Sequence, residues 1–337
     1  MNRLLRALGL AVLIVLACAG TSSAGEQRGT VTFAINLQAR PDAKLVKLWF
    51  PYPTSTLDQT ISNLKFSGSY SSFTMAHEPR SGALYLYTEW DGPMSGRTLT
   101  VTFDAAAKAR RVARLVESSG PIPPEVRKYI ESDFWIPSDD KKIAALSRVI
   151  TRGRKGILGK ARAVYDWVVD NTRRDPDVPG CGLGDARATL SSRTGKCADI
   201  SSVYVALARA AGVPAREVFG LRLGQPGETD ITGGHHCWAE FYLPGTGWVP
   251  VDPADVRKVM LVKKLDLAAA KPYRDFYFGG LDEFRIVLQT GGRSLSFPEG
   301  NAEKVNYFMY PYAEVDGKPL DYCRPKDFRY TILFKAG

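Results

Sequence analysis

Histidine is scarce in this chain: three residues in 337, His77, His235 and His236. Any imidazole base must come from that short list. Cysteine is sparse too. The five residues Cys18, Cys181, Cys197, Cys237 and Cys323 match no Cys-x-x-Cys pattern, which removes the usual zinc and dithiol-redox spacings. After residue 19 no apolar run is long enough to cross a bilayer. There is no Asp-rich calcium loop, no repeat period, and no aromatic-plus-basic nucleic-acid motif. The expectation is a protein with no cofactor, no metal and no nucleic-acid partner.

What is present is an ordinary globular composition, 45% hydrophobic and 24% charged, with a formal charge of +10. The length suits two domains, each with its own core. Lys and Arg are scattered rather than clustered, so the basic balance reads as solubility before it reads as attraction to an anionic surface. Arg3 and Arg6 precede an apolar run over residues 8–19 and a small-residue stretch ending Ala24-Gly25, the pattern of a signal peptide over residues 1–24. Val15-Leu16-Ala17-Cys18 offers a second reading, a lipobox with Cys18 lipidated. The expected location is periplasmic or secreted, with membrane attachment only if Cys18 carries lipid. Outside the cytosol, Cys181 and Cys323 are able to pair as a disulfide, although spacing does not fix connectivity.

Period-two runs at residues 30–35, 44–50, 83–87 and 98–103 are separated by turn residues such as Arg40-Pro41-Asp42 and Asp91-Gly92-Pro93. They predict an all-β sandwich domain over residues 25–118. Beyond Pro121-Ile122-Pro123-Pro124 the period lengthens. Ile143, Leu146, Val149 and Ile150, then Ala161, Val164, Tyr165 and Val168, fall at helical spacing. A third helix starts near Cys197 and stops at Gly212, with Pro214 just past its end. Strand patterns return at residues 215–223, 236–243 and 248–251, and again near 283–288, 294–297 and 305–310. The expected fold is α+β, with a core over residues 119–270 and a C-terminal β extension over 271–337.

A thiol nucleophile needs a thiolate, and a free cysteine with pKa about 8.5 supplies little near neutrality. Cys197 follows Thr194-Gly195-Lys196 and opens an apolar helix, so it sits where first-turn N–H groups and the helix dipole favour an anion. Those N–H groups also suit an oxyanion. Asp199 reads as a first-turn acid rather than a catalyst, and a buried core cysteine is the plainer reading of Cys197 alone. His77, beside Glu78-Pro79, suits a surface role. His235 and His236 begin a strand, so they point to opposite faces and only one meets the thiol. The same alternation weighs against His236 and Cys237 sharing one ion. Pro244-Gly245-Thr246-Gly247 turns the chain into Trp248-Val249-Pro250-Val251-Asp252-Pro253, returning an acid beside the histidine, where it can fix the imidazole tautomer. His236 and Asp252 share a face only if the hairpin loop is odd or bulged; a five-residue loop over 243–247 pairs Tyr242 with Trp248 and sets Asp252 opposite Trp238.

Four motifs in this order, Gly195-Lys196-Cys197-Ala198-Asp199, Gly212-Val213-Pro214-Ala215-Arg216, His236-Cys237-Trp238-Ala239-Glu240 and Gly247-Trp248-Val249-Pro250-Val251-Asp252-Pro253, resemble the transglutaminase-like core over residues 140–260. Trp49-Phe50-Pro51-Tyr52-Pro53 and Asn306-Tyr307-Phe308-Met309-Tyr310-Pro311-Tyr312 look like the extensions of bacterial exported members. The resemblance implies a papain-like fold, with Cys197 as nucleophile, His236 as base and Asp252 as orienter. It also implies an upstream aromatic oxyanion donor, for which Trp167 and Tyr165 are candidates. The chemistry implied is attack on an amide of a peptide, protein or cell-wall peptide to give a thioester. Water then makes the protein a protease or amidase, and an amine makes it a transglutaminase. The resemblance to bacterial members leans toward hydrolysis. The competing class is a non-catalytic binding module of the cell envelope.

Overall fold

The computed structural model describes residues 25–225, 227, 229–300, 304–321 and 328–337. The expected signal peptide, Cys18 and Cys323 lie outside the described residues.

Two antiparallel sheets form the sandwich. The first orders β12 (Phe328–Ala336), β1 (Glu26–Leu37), β6 (Arg97–Lys108) and β3 (Gln59–Gly68). The second orders the short strand Lys318–Pro319, β11 (Tyr312–Val315), β2 (Leu45–Pro51), β5 (Leu84–Asp91) and β4 (Ser72–His77). Alternate residues of β1 and β2, among them Val31, Phe33, Val46, Leu48 and Phe50, are buried between the sheets. Phe33 meets Phe50 edge-on at 4.9 Å. β3 and β4 escaped the hydrophobic pattern because both are mostly exposed edge strands. The C-terminal segment divides between layers: β11 and β12 extend the sandwich sheets, while β10 (Arg285–Thr290) joins the core sheet.

The core sheet runs β9 (Gly247–Val251), β8 (His235–Leu243), β7 (Ala215–Arg222), β10, all antiparallel. Against it lies α4 (Cys197–Ala210), flanked by α1 (Lys141–Ile150), α2 (Gly156–Asn171), α3 (Ala186–Ser192) and α5 (Pro253–Lys263). Residues 197–208 of α4 are all buried, including Ile200, Val203, Tyr204 and Leu207 at helical spacing. Each fully buried large aliphatic side chain stabilises by about 1.5–3 kcal/mol, so this helix is held by packing on every side. It ends where Gly212 takes a positive φ of 77°.

Two expectations need correction. Residues 294–297 and 305–310 do not form strands; they meet only at an isolated Leu295–Val305 bridge. Leu295, Phe297 and Phe308 of this irregular segment pack on the outer face of a sandwich sheet, where Phe297 stacks on Trp49, while Tyr307, Met309 and Tyr310 are buried in the main core. The helix α5 was also missed. Its apolar residues have no clean stripe, and Asp252 and Pro253 serve as its N-cap and first residue.

Candidate active site

Cys197 is the first residue of α4, with Lys196 as its N-cap. The Asp199 carboxylate accepts from Lys196 N (2.9 Å) and Gly184 N (2.8 Å), fixing the loop that delivers the cysteine. The packing around Asp199 explains the glycine in Thr-Gly-Lys-Cys. A Cβ on Gly195 would lie 2.5 Å from Asp199 Cβ, and one on Gly182, already at φ +89°, would lie 1.8 Å from Asp199 Oδ2. The expectation of several free first-turn N–H groups is narrowed, because the Ala198 N–H donates to the Cys181 carbonyl at 3.0 Å.

The β8–β9 hairpin pairs Tyr242 with Trp248 and Leu243 with Gly247, leaving a three-residue loop over 244–246. That odd loop puts Asp252, just past the ladder, on the face of His236 and Trp238. His236 Nε2 stands 2.7 Å from Asp252 Oδ2. The carboxylate can only accept, so Nε2 carries the proton and Nδ1 is left toward the thiol. Cys197, His236 and Asp252 are all buried, and the imidazole lies close enough to the Cys197 sulfur to help lower its pKa. His235 is buried on the opposite face with its ring 4.3 Å from Tyr310, and burial pulls its pKa down to about 4. His77 is exposed at the end of β4.

His235 and His236 face opposite ways, and His236 and Cys237 fall in separate groups of potential ligands, Cys237 with Cys181 and Cys197, and His236 with Asp252 and Asp255. From the start of α4, the Cys197 sulfur faces the start of β8, beside both His236 and Cys237. Cys181 completes the group: the three sulfurs lie within 4.8 Å of one another, and all three cysteines are free. The Cys181 and Cys237 thiols, together with His236, hold the Cys197 thiol well below its ordinary range against the opposing cost of burial. The neighbouring Cys197 and burial push the Cys181 thiol well above its ordinary range, and burial with both neighbouring sulfurs does the same for Cys237. Burial and Arg222 push His236 down; the Asp255 and Asp252 carboxylates outweigh them and leave its pKa raised. Both shifts run in the direction that favours a thiolate beside an imidazolium.

Sequence reading missed the charges behind the pair. Asp252 caps α5 by accepting from Asp255 N at 2.8 Å, and its backbone N–H donates to Tyr277 O at 3.0 Å. The buried Arg285 guanidinium donates to Asp252, to Asp255 (2.6 Å) and to Asp282 (2.8 Å), while Arg222 donates to Asp255. Despite burial, Arg222, His236 and Arg285 hold the Asp255 carboxyl well below the usual range. The signal was there for Asp255: Asp-Pro-Ala-Asp has an N-cap acid and a second acid at the third helical position. Arg285 offered only a charge inside an apolar strand pattern. A cavity of about 480 Å³, lined by Arg222, Gly234, Asp255 and Lys258 among others, adjoins this network.

Of the two oxyanion candidates, the Tyr165 hydroxyl is spent on the Arg274 carbonyl at 2.9 Å. The Trp167 ring lies under the Arg193 guanidinium at 4.5 Å.

A family model for the transglutaminase-like superfamily matches residues 144–253, spanning Cys197, His236 and Asp252. An uncharacterized protein of Haemophilus influenzae is 33% identical over 320 residues, covering 86% of this chain and 85% of that protein. A protein-glutamine gamma-glutamyltransferase of Pseudomonas aeruginosa is 37% identical over 90 residues, 24% of this chain and 13% of that one. A crystal structure of a Cytophaga hutchinsonii protein, provisionally described as a cysteine protease, superposes with a TM-score of 0.56 at 16% identity, covering 93% of this chain and 99% of that one.

Proposed function

Starting from a chain that belongs to the transglutaminase-like superfamily, we propose an exported thiol enzyme that cleaves amide bonds of peptides or proteins through Cys197, His236 and Asp252. The observation that carries this reading is the His236–Asp252 contact of 2.7 Å, with Cys197 at a helix start on the other side of the ring.

The Cys197 thiolate attacks the amide carbonyl carbon. The Cys197 N–H, which has no partner within its helix, suits the developing oxyanion. The His236 imidazolium gives its proton to the departing amine, leaving a thioester and a neutral imidazole that Asp252 keeps in the right tautomer. His236 then takes a proton from water, whose oxygen attacks the thioester and releases the acid and the thiolate. A primary amine in place of water would give transamidation.

Hydrolysis is favoured here because the fold neighbour that spans nearly the whole chain is described as a protease, whereas the glutamyltransferase match is confined to 90 residues. The test incubates envelope peptides with wild type and Cys197→Ala in H₂¹⁸O with a labelled primary amine. The reading expects ¹⁸O in new carboxyl termini from wild type alone. Amine incorporation in its place would assign transamidation, and equal products from Cys197→Ala would end the thiol reading. Chain isolated from envelope material for this assay should begin near Gly25, or at a lipidated Cys18 if the lipobox is used, and an intact Met1 would contradict both.

A further inference from the structure

Two of the three clustered sulfurs have no part in the proposed triad. Cys181 lies before α3, Cys197 opens α4 and Cys237 lies in β8, so a set with no readable spacing in the sequence converges from three places in the fold. A fourth soft atom joins them: Met309 Sδ lies 3.8 Å from Cys237 Sγ. Met309 is held there by its neighbours. Tyr307 stacks on Phe219 at 4.9 Å and donates to Gly182 O at 2.6 Å, and Tyr310 is hydrogen-bonded to Cys181.

We propose that Cys181, Cys197 and Cys237, with Met309 as a weaker fourth donor, form a binding site for one Cu(I) ion. Three sulfurs around an ion at about 2.3 Å stand about 4 Å apart, so the observed cluster needs only sub-ångström closure. Thiolate and thioether donors select soft ions, and the thioether favours Cu(I) over Zn(II). The three sulfurs group apart from the nearby His236, Asp252 and Asp255, and His236 is held away by Asp252 through Nε2, so only its Nδ1 borders the set. Any proton lost from Cys181 or Cys237 passes to solvent, so uptake weakens as pH falls. The added negative charge sits beside His236 and in the field of Lys258. Binding itself does not depend on catalysis; the consequence that a bound ion silences the enzyme rests on Cys197 being the nucleophile.

The test titrates the reduced full chain anaerobically with the coloured Cu(I)–bicinchoninate complex, without substrate. One equivalent should transfer, and X-ray absorption of the product should show three sulfur scatterers at about 2.3 Å with no nitrogen or oxygen shell. Cys181→Ser and Cys237→Ser should each weaken binding at least tenfold, and Met309→Leu by less. Retention of copper by the chelator, a nitrogen or oxygen shell, or wild-type affinity in the Cys181→Ser/Cys237→Ser double variant would overturn the site. If a serine variant does not fold, the wild-type spectrum decides alone. Copper binding by a chain that fails the ¹⁸O assay would leave this site standing while removing the catalytic reading.

Discussion

His236→Ala should lower amide turnover by about four orders of magnitude, while His235→Ala keeps most of it. The difference follows from position rather than residue type. His236 donates to Asp252 at 2.7 Å and lies close enough to the Cys197 sulfur to help lower its pKa. Its removal takes away the proton donor for the leaving amine, the base for water and one partner of the thiolate. His235 presents its ring to Tyr310 on the other face, and burial keeps it neutral, with a pKa of about 4. Its loss leaves a hole beside an aromatic ring and touches no reacting atom. Steady-state rates, with circular dichroism to confirm folding, separate the two. Comparable losses in both folded variants would undo the assignment of the base.

Arg285→Leu should destabilise the fold by about 3–5 kcal/mol, the range for breaking a buried ion pair from one side. Its guanidinium is the common partner of Asp252, Asp255 and Asp282, and its side chain is only 2% exposed. Without it, three neighbouring carboxylates must be buried with Arg222 as the remaining strong cation. The effect should depend on pH in a defined direction. Asp255 and Asp282 have depressed pKa values in the native protein. Groups of that kind stabilise fully above their unfolded pKa of about 3.9 and lose the contribution as pH falls through the folded value. The variant has little of that contribution to lose, so the gap between it and wild type should narrow below pH 4. Urea unfolding at pH 7 and pH 3.5 measures it. A gap that is constant or widens in acid would show that Arg285 acts through packing on Trp238 and Tyr277 rather than through charge.

The parts of the molecule that were legible are those where a local pattern has a single physical outcome. Thr194-Gly195-Lys196 before an apolar 3.6-period run can hardly be other than a helix start, and it gave the place of Cys197. Parity along β8 and β9 predicted the Tyr242–Trp248 pair and the shared face of His236 and Asp252. What stayed hidden depends on distance in the chain. Arg285 reaches Asp252 across 33 residues, and Cys181 reaches β8, through His235 O, across 54. Neither separation leaves a periodicity. The segment 305–310 looked like a strand because it is apolar, yet its irregular backbone buries Phe308 on the outer sandwich face and Tyr307, Met309 and Tyr310 in the main core. Composition reports burial there, not conformation.

The central claim is that Cys197 rests as a thiolate, and the pH profile of its alkylation tests that most directly. Because Cys197 is only 2% exposed, its absolute rate with iodoacetamide says little; the slope of rate against pH is unaffected by access. Peptide mapping after brief native labelling isolates the Cys197 signal from those of Cys181 and Cys237. An ordinary thiol with pKa about 8.5 loses nearly tenfold in rate for each unit of pH below that value. Cys197, held well below its ordinary range by the Cys181 and Cys237 thiols and by His236, should change by less than about threefold between pH 8 and pH 6. A tenfold fall per unit across that interval would mean a neutral thiol at rest, and the account of this site would be wrong.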